Sequence, residues 1–175
     1  MPTQFSSSAG TVRGLTRAAF CTACACLLAP VSIPIGPVSL TLGVFAIILA
    51  GALLPPALAA LSACAYLLLG FAGLPVFAGF AAGPGVLFGM TGGYLLAYPI
   101  MAWLLSMVCE KTRSRGARMV GVALANLCCY LLGTAWFMAA TGMGLWASLS
   151  ACVIPFILPD LAKGWCALWL AERLR

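Results

Sequence analysis

The sequence predicts an all-α integral membrane protein of six transmembrane helices with cytoplasmic N- and C-termini, and three observations predict it. Of 175 residues, 64% are hydrophobic and only 7% charged, whereas soluble domains carry about 25% charged residues. No formal charge occurs from Ala18 to Cys109, or again from Met119 to Pro159. The basic residues gather instead at the ends of the apolar runs: Arg13 and Arg17, then Lys111, Arg113, Arg115 and Arg118, then Arg173 and Arg175. Each crossing of roughly 30 Å of hydrocarbon needs about 20 apolar residues, and basic clusters at span ends mark the cytoplasmic side.

The Ser-rich segment 1–12 is expected to be a disordered tail, leaving 13–175 as a single six-helix membrane domain. Arg13, Arg17 and the apolar run behind them resemble a signal peptide. No convincing cleavage site follows before Pro30, so the segment is expected to stay as the first helix, from about Arg13 to Ala29. It ends where Pro30, Pro34 and Pro37 forbid regular helix. The second span runs from about Ser39 to Leu54 and stops at Pro55-Pro56; the third follows to about Gly70. A Gly- and Pro-rich stretch, 71–89, leads into the fourth, which closes at Cys109. The fifth covers about Gly116 to Ala140 and breaks at Thr141-Gly-Met-Gly144. Leu145–Val153 could form a short interfacial helix, and Pro155 and Pro159 interrupt the chain before a final helix from about Pro159 to Arg173.

Parity supports this order. Four spans of about 20 residues fit between Arg17 and Lys111, and two more return the chain to Arg173 on the same side. The protein is therefore expected as a multi-pass component of the inner (plasma) membrane, embedded in the lipid bilayer. A net charge of +6 does not point to nucleic acid, because the basic residues sit at span ends and a basic face with stacking aromatics is lacking. No histidine is present, and the Cys21-Thr-Ala-Cys24 pair has no second pair at metal-ligand spacing, so no metal is expected. Cysteines scattered through apolar segments behave as small hydrophobes. A thiol oxidoreductase working through Cys21 and Cys24 remains an alternative. No P-loop run occurs, so ATP is not bound through one. The chain is expected not to be an enzyme, and to need no cofactor.

Against this background Asp160 and Lys163 stand out. A charge inside a membrane helix costs several kcal/mol and usually faces a partner or a polar cavity. Asp160 lies about thirteen residues before Arg173, or roughly 20 Å at 1.5 Å per residue, in the outer half of the membrane. Lys163 follows one turn later on the same face. The carboxylate accepts hydrogen bonds and the ammonium donates up to three. A neutral group with adjacent N–H donors and a carbonyl, such as a cyclic urea, would satisfy both. A structural bridge locking the last helix is the plainer reading of the same pair. Phe71, Phe77, Tyr94, Tyr130, Trp136 and Trp165 are candidate pocket walls, and Gly92-Gly93 allows close backbone approach beside Tyr94. Ala19 and Ala23, then Ala25 and Ala29, form small-residue spacings suited to close helix contact, within the chain or with a partner subunit.

These strings together resemble the BioY family, the biotin-specific substrate-binding (S) component of energy-coupling-factor (ECF) transporters. The matching residues are Ile33-Pro34 with Gly36–Leu42, Gly73–Gly79, Gly85–Tyr94, Tyr130–Trp136, and Pro155-Phe156 with Asp160-Leu-Ala-Lys163. They span about Leu15 to Leu170 in the family's order. The resemblance implies biotin captured near the outer face, with Asp160 and Lys163 on its ureido ring. It also implies that Phe77, Gly79 and the Thr91-Gly92-Gly93-Tyr94 turn line or cover the pocket. It further implies import with a transmembrane coupling protein and two cytoplasmic ATPases, docked on the first helix. An S component for a different small vitamin is the alternative of the same architecture. Gly43, Met90 and Pro159 depart from the family's usual Gln, Pro and Gly, and no arginine is placed to meet the biotin carboxylate.

Overall fold

The computed structural model describes the backbone of residues 4–174 and side chains from Val12 onward. Helices α1 (Gln4–Leu28), α2 (Gly43–Leu53), α3 (Pro56–Phe71), α4 (Pro84–Leu87), α5 (Gly92–Leu96), α6 (Tyr98–Lys111), α7 (Arg115–Thr141), α8 (Leu145–Cys152) and α9 (Ile154–Leu174) build most of it. Strands β1 (Ser32–Ile35) and β2 (Val38–Thr41) complete the order between α1 and α2.

Among the described residues, three helical stretches are long and apolar enough to cross a membrane: Gly92–Lys111, Arg115–Thr141 and Leu145–Leu174. The first joins α5 to α6 and the last joins α8 to α9. Helices α2 and α3 are apolar but shorter; at 1.5 Å per residue, the 11 residues of α2 rise only about 16 Å. Eight of those residues are buried, from Gly43 to Ala52. A helix apolar on every side belongs in the middle of a bundle, and α2 packs on α1, α3, α6 and α9. Outward-facing Phe20, Leu27, Leu68, Leu131 and Trp165 are exposed, as a lipid-facing exterior requires.

Two expectations are corrected. Of the segment 1–12, expected as a disordered tail, residues 1–3 lie outside the described residues, and helix α1 begins at Gln4. The 30–41 segment is not simply a loop before a helix at Ser39. It folds as an antiparallel hairpin pairing Ser32 with Thr41 and Ile35 with Val38, so the fold is not purely α. Its prolines bar helix, its Val, Ile and Thr favour strand, and Gly36 takes the positive φ (69°) that a two-residue turn needs at its first position. The last helix does not begin at Pro159 but runs through it from Ile154. Pro155 sits in the first turn, where a missing N–H is harmless. Pro159 therefore deletes one ladder bond without breaking the helix.

Polar residues at the two ends differ in kind. Arg115, opening α7, meets Glu172 near the end of α9 at 2.6 Å, and Arg118 approaches the same carboxylate at 3.7 Å. The hairpin, the 72–91 stretch and the α7–α8 junction occupy the other end. Since α7 and α9 are antiparallel, Asp160 sits about 18 Å from Glu172 along α9, toward the hairpin.

Candidate functional site

Asp160 is nearly closed off from the surface, at 4% exposure. Its two oxygens are held separately. Lys163 Nζ, one turn on, donates to Oδ1 at 2.9 Å, and Tyr130 Oη of α7 donates to Oδ2 at 2.7 Å. Spacing of three along a helix puts the acid and the ammonium on one face; Tyr130 reaches them because its side chain tilts back along α7. A carboxylate offers about four acceptor sites and an ammonium three donors. Each retains hydrogen-bonding capacity after these contacts are counted.

The triad stands in the wall of a cavity of about 390 Å³. Lining it opposite are Pro37, Val38, Ser39 and Thr41 of the hairpin, and Ala78 and Ala81 of the loop after α3. Aromatic rings enclose its apolar part. Tyr66 stacks on Tyr98 with centroids 6.3 Å apart and meets Phe77 edge-on at 5.7 Å. Tyr66 Oη donates to the Val76 carbonyl at 3.1 Å, fixing the loop that delivers Phe77. A cavity of this size, mostly apolar with a few converging polar groups, suits a small ligand. Among the described residues no group of three His, Cys, Asp or Glu could hold a metal.

Of the site residues expected from sequence, Asp160, Lys163, Phe77, Thr91, Tyr94 and Tyr130 line the cavity. Gly79, Gly92, Gly93 and Trp136 do not line it. They hold the parts that do. Gly79 N–H donates to the Pro30 carbonyl at 3.1 Å, tying the loop to the hairpin's base. Trp136 Nε1 donates to the Gly89 carbonyl at 3.0 Å. A Cβ on Gly93 would strike Trp136, and one on Gly133 would strike the Tyr94 ring, so each glycine seats the other helix's aromatic. Tyr94 Oη and Thr134 Oγ1, 3.0 Å apart, share a hydrogen bond that fixes the same ring. Phe71 and Trp165, also weighed as pocket walls, are exposed on the exterior.

The alanine spacings of α1 do not form one ridge. Ala25 and Ala29 are buried in the core, and Ala29 reaches the cavity, whereas Ala19 and Ala23 are exposed. A step of six residues turns a helix by about 240°, so the two pairs face different ways. Cys21 and Cys24 are free and neither lines the cavity. Tyr66, Tyr98 and Asn126 of the cavity wall were not singled out by sequence, and Thr41 and Phe156 stood only among the strings that carry the family resemblance. Asn126 carried a signal all the same: it is the sole asparagine of the chain, in mid-helix among apolar residues.

Comparison with known proteins points to one family. The model of the BioY family matches residues 1–175. The chain is 42% identical over 147 residues to "Probable biotin transporter BioY" of Pyrococcus horikoshii, covering 84% of this chain and 86% of that protein. It is 34% identical over 154 residues to "Biotin transporter BioY" of Thermotoga maritima, covering 87% and 80%. A crystal structure described as the S-component for biotin from an ECF-type ABC transporter is similar with a TM-score of 0.89. That likeness, at 29% identity, covers 100% of this chain and 95% of the other.

Proposed function

This chain belongs to the BioY family, and on that premise we propose that it captures biotin from the outer side of the plasma membrane in the cavity at Asp160 and Lys163. The observation that carries the reading is the buried set Tyr130–Asp160–Lys163 facing an otherwise apolar, aromatic-walled cavity. In this reading a ureido N–H donates to a free lone pair of Asp160, and Lys163 donates to the ureido oxygen. Tyr130 holds the carboxylate in place. Tyr66, Phe77 and Tyr98 take the fused rings and the chain of methylenes away from water. Neither charge need be neutralised by a proton, because the ligand group is itself neutral.

Six spans with both termini inside follow from the charge pattern. The Arg115–Glu172 end, with Lys111 closing α6, fits the cytoplasmic side by the excess of basic residues, leaving the cavity toward the outside. The biotin carboxylate has no cation of its own, since Lys163 alone among the lining residues is charged positively. It is received by solvent or by backbone amides of the glycine-rich 85–93 turn. Import is energised by partner ATPases through a coupling protein. Exposed Ala19 and Ala23 offer that protein a surface of close approach on α1.

Calorimetry of the purified chain in detergent, titrated with biotin, thiamine and riboflavin, tests the reading. Saturable one-to-one binding of biotin alone is expected. Binding of another vitamin in preference would transfer the site to that ligand, and no binding at all would refute capture. Replacement of Cys21 and Cys24 by Ser is expected to leave biotin binding intact.

A further inference from the structure

We propose that Asn126 contacts the ligand and sets its specificity, its carboxamide pairing edge to edge with one N–H/C=O side of a cyclic urea. The proposal rests on the biotin reading above and assigns the site a further residue.

Asn126 is 4% exposed and lines the cavity. Its Nδ2 is the one buried side-chain nitrogen or oxygen among the described residues without a hydrogen-bond partner. Buried polar groups are almost always bonded, and an exception calls for a reason. Its helical neighbours Val122, Ala125 and Cys129 are buried and offer no strong acceptor. A partner brought by the ligand supplies the missing bond.

Position places the amide beside the charged triad. Along α7, Asn126 lies one turn before Tyr130 on the same face. Between the antiparallel α7 and α9, Gly164 abuts Val122 and Arg115 meets Glu172. Four residues further along α7 and four back along α9, Asn126 therefore stands opposite Asp160. The polar groups of the two helices converge at one level of the cavity.

The chemistry is specific. When a urea is closed into a ring through both nitrogens, each N–H is held on the same side as the carbonyl. Each side of the group then presents a donor and an acceptor next to one another. A carboxylate is acceptor-only and cannot match such an edge by itself; a primary carboxamide matches it, Nδ2–H to the oxygen and N–H to Oδ1. Asn126 serves one edge while Asp160, steadied by Tyr130 and Lys163, serves the other N–H. Loss of a polar partner from such a site leaves the ligand's own groups unpaired, which is why hydrogen-bonding sites discriminate strongly.

Titration calorimetry of the full chain in detergent with biotin and with 2-iminobiotin tests this, comparing the unaltered protein with N126L and N126D. N126L, close in volume, is expected to bind biotin at least about tenfold more weakly, the loss of a typical hydrogen bond or more. Its ligand-free melting temperature is expected to be equal or higher, because the unpaired donor is gone; a purely structural asparagine would give the opposite. N126D, now acceptor-only, is expected to shift the 2-iminobiotin-to-biotin preference toward the protonated guanidinium edge, which presents two donors. Unchanged biotin affinity in N126L, or an unchanged preference in N126D, would overturn the role of Asn126 and leave biotin capture standing. Should N126L fail to fold, the N126D preference decides. Absence of biotin binding by the unaltered chain would overturn the biotin reading itself, and this proposal with it.

Discussion

Removing one charge of the Asp160–Lys163 pair should separate its structural role from its role toward ligand. At 2.9 Å and an effective dielectric of about 20, the Coulomb attraction is about 6 kcal/mol. Desolvation offsets much of it, but a buried charge stripped of its partner still costs about 3–5 kcal/mol. Asp160→Asn keeps the shape and can keep a bond to Tyr130 by reversing its direction, leaving Lys163 without a counter-charge. Lys163→Met leaves the carboxylate with Tyr130 alone. Each single variant is expected to unfold at lower temperature and to bind biotin about 1.5–3 kcal/mol more weakly, roughly ten- to hundred-fold in Kd. The double variant carries no buried charge at this site, so its stability should recover well beyond the sum of the singles. Its affinity should not recover, because both ligand bonds are lost. Thermal unfolding of the ligand-free proteins and biotin calorimetry in detergent read the two quantities separately. Full biotin affinity in both single variants, or affinity that returns together with stability in the double, would refute a ligand role for the pair.

Tyr130→Phe deletes one donor to Asp160 Oδ2 and should weaken biotin binding by about 1.5 kcal/mol, read by calorimetry, with the cavity otherwise intact. Gly133→Ala forces a methyl into the Tyr94 ring; a loss of about 1–3 kcal/mol is expected in thermal unfolding, accompanied by weaker biotin binding as the ring moves. Ser106→Ala removes a buried hydroxyl that donates to the Leu54 carbonyl, away from the cavity. It should cost about 1 kcal/mol of stability, with biotin affinity unchanged in the same titration.

Much of the candidate site was legible because an acid in an apolar run is rare enough to demand a partner. Asp160 and Lys163 drew attention by charge alone, and their spacing of three fixed a shared face. Phe77, Tyr94 and Tyr130 stood out as aromatics able to wall the apolar part of a pocket. Phe71 and Trp165, chosen on the same grounds, face outward, since composition does not say which side of a lipid-embedded helix a ring takes. Trp136 and Gly93 proved to be supports: their mutual contact depends on how α5 crosses α7. Tyr66 and Tyr98 escaped notice because they lie in ordinary apolar helix sequence, and only the packing of α3 beside α6 sets their rings together. The hairpin escaped because prolines announce where helix ends without saying what replaces it.

Composition and charge placement thus determined, before any fold was known, a membrane-embedded helical chain with a basic end and a lone acid–base pair toward the other. Those are properties of transfer from water to lipid, which each residue carries with it. Which helices meet is different, for it depends on contacts between residues far apart in the chain. Tertiary structure alone brought Tyr130 to Asp160, set the hairpin and the Phe77 loop over them, and left the Asn126 amide without a partner. Cavities are made by the fit of surfaces, and no single segment contains one.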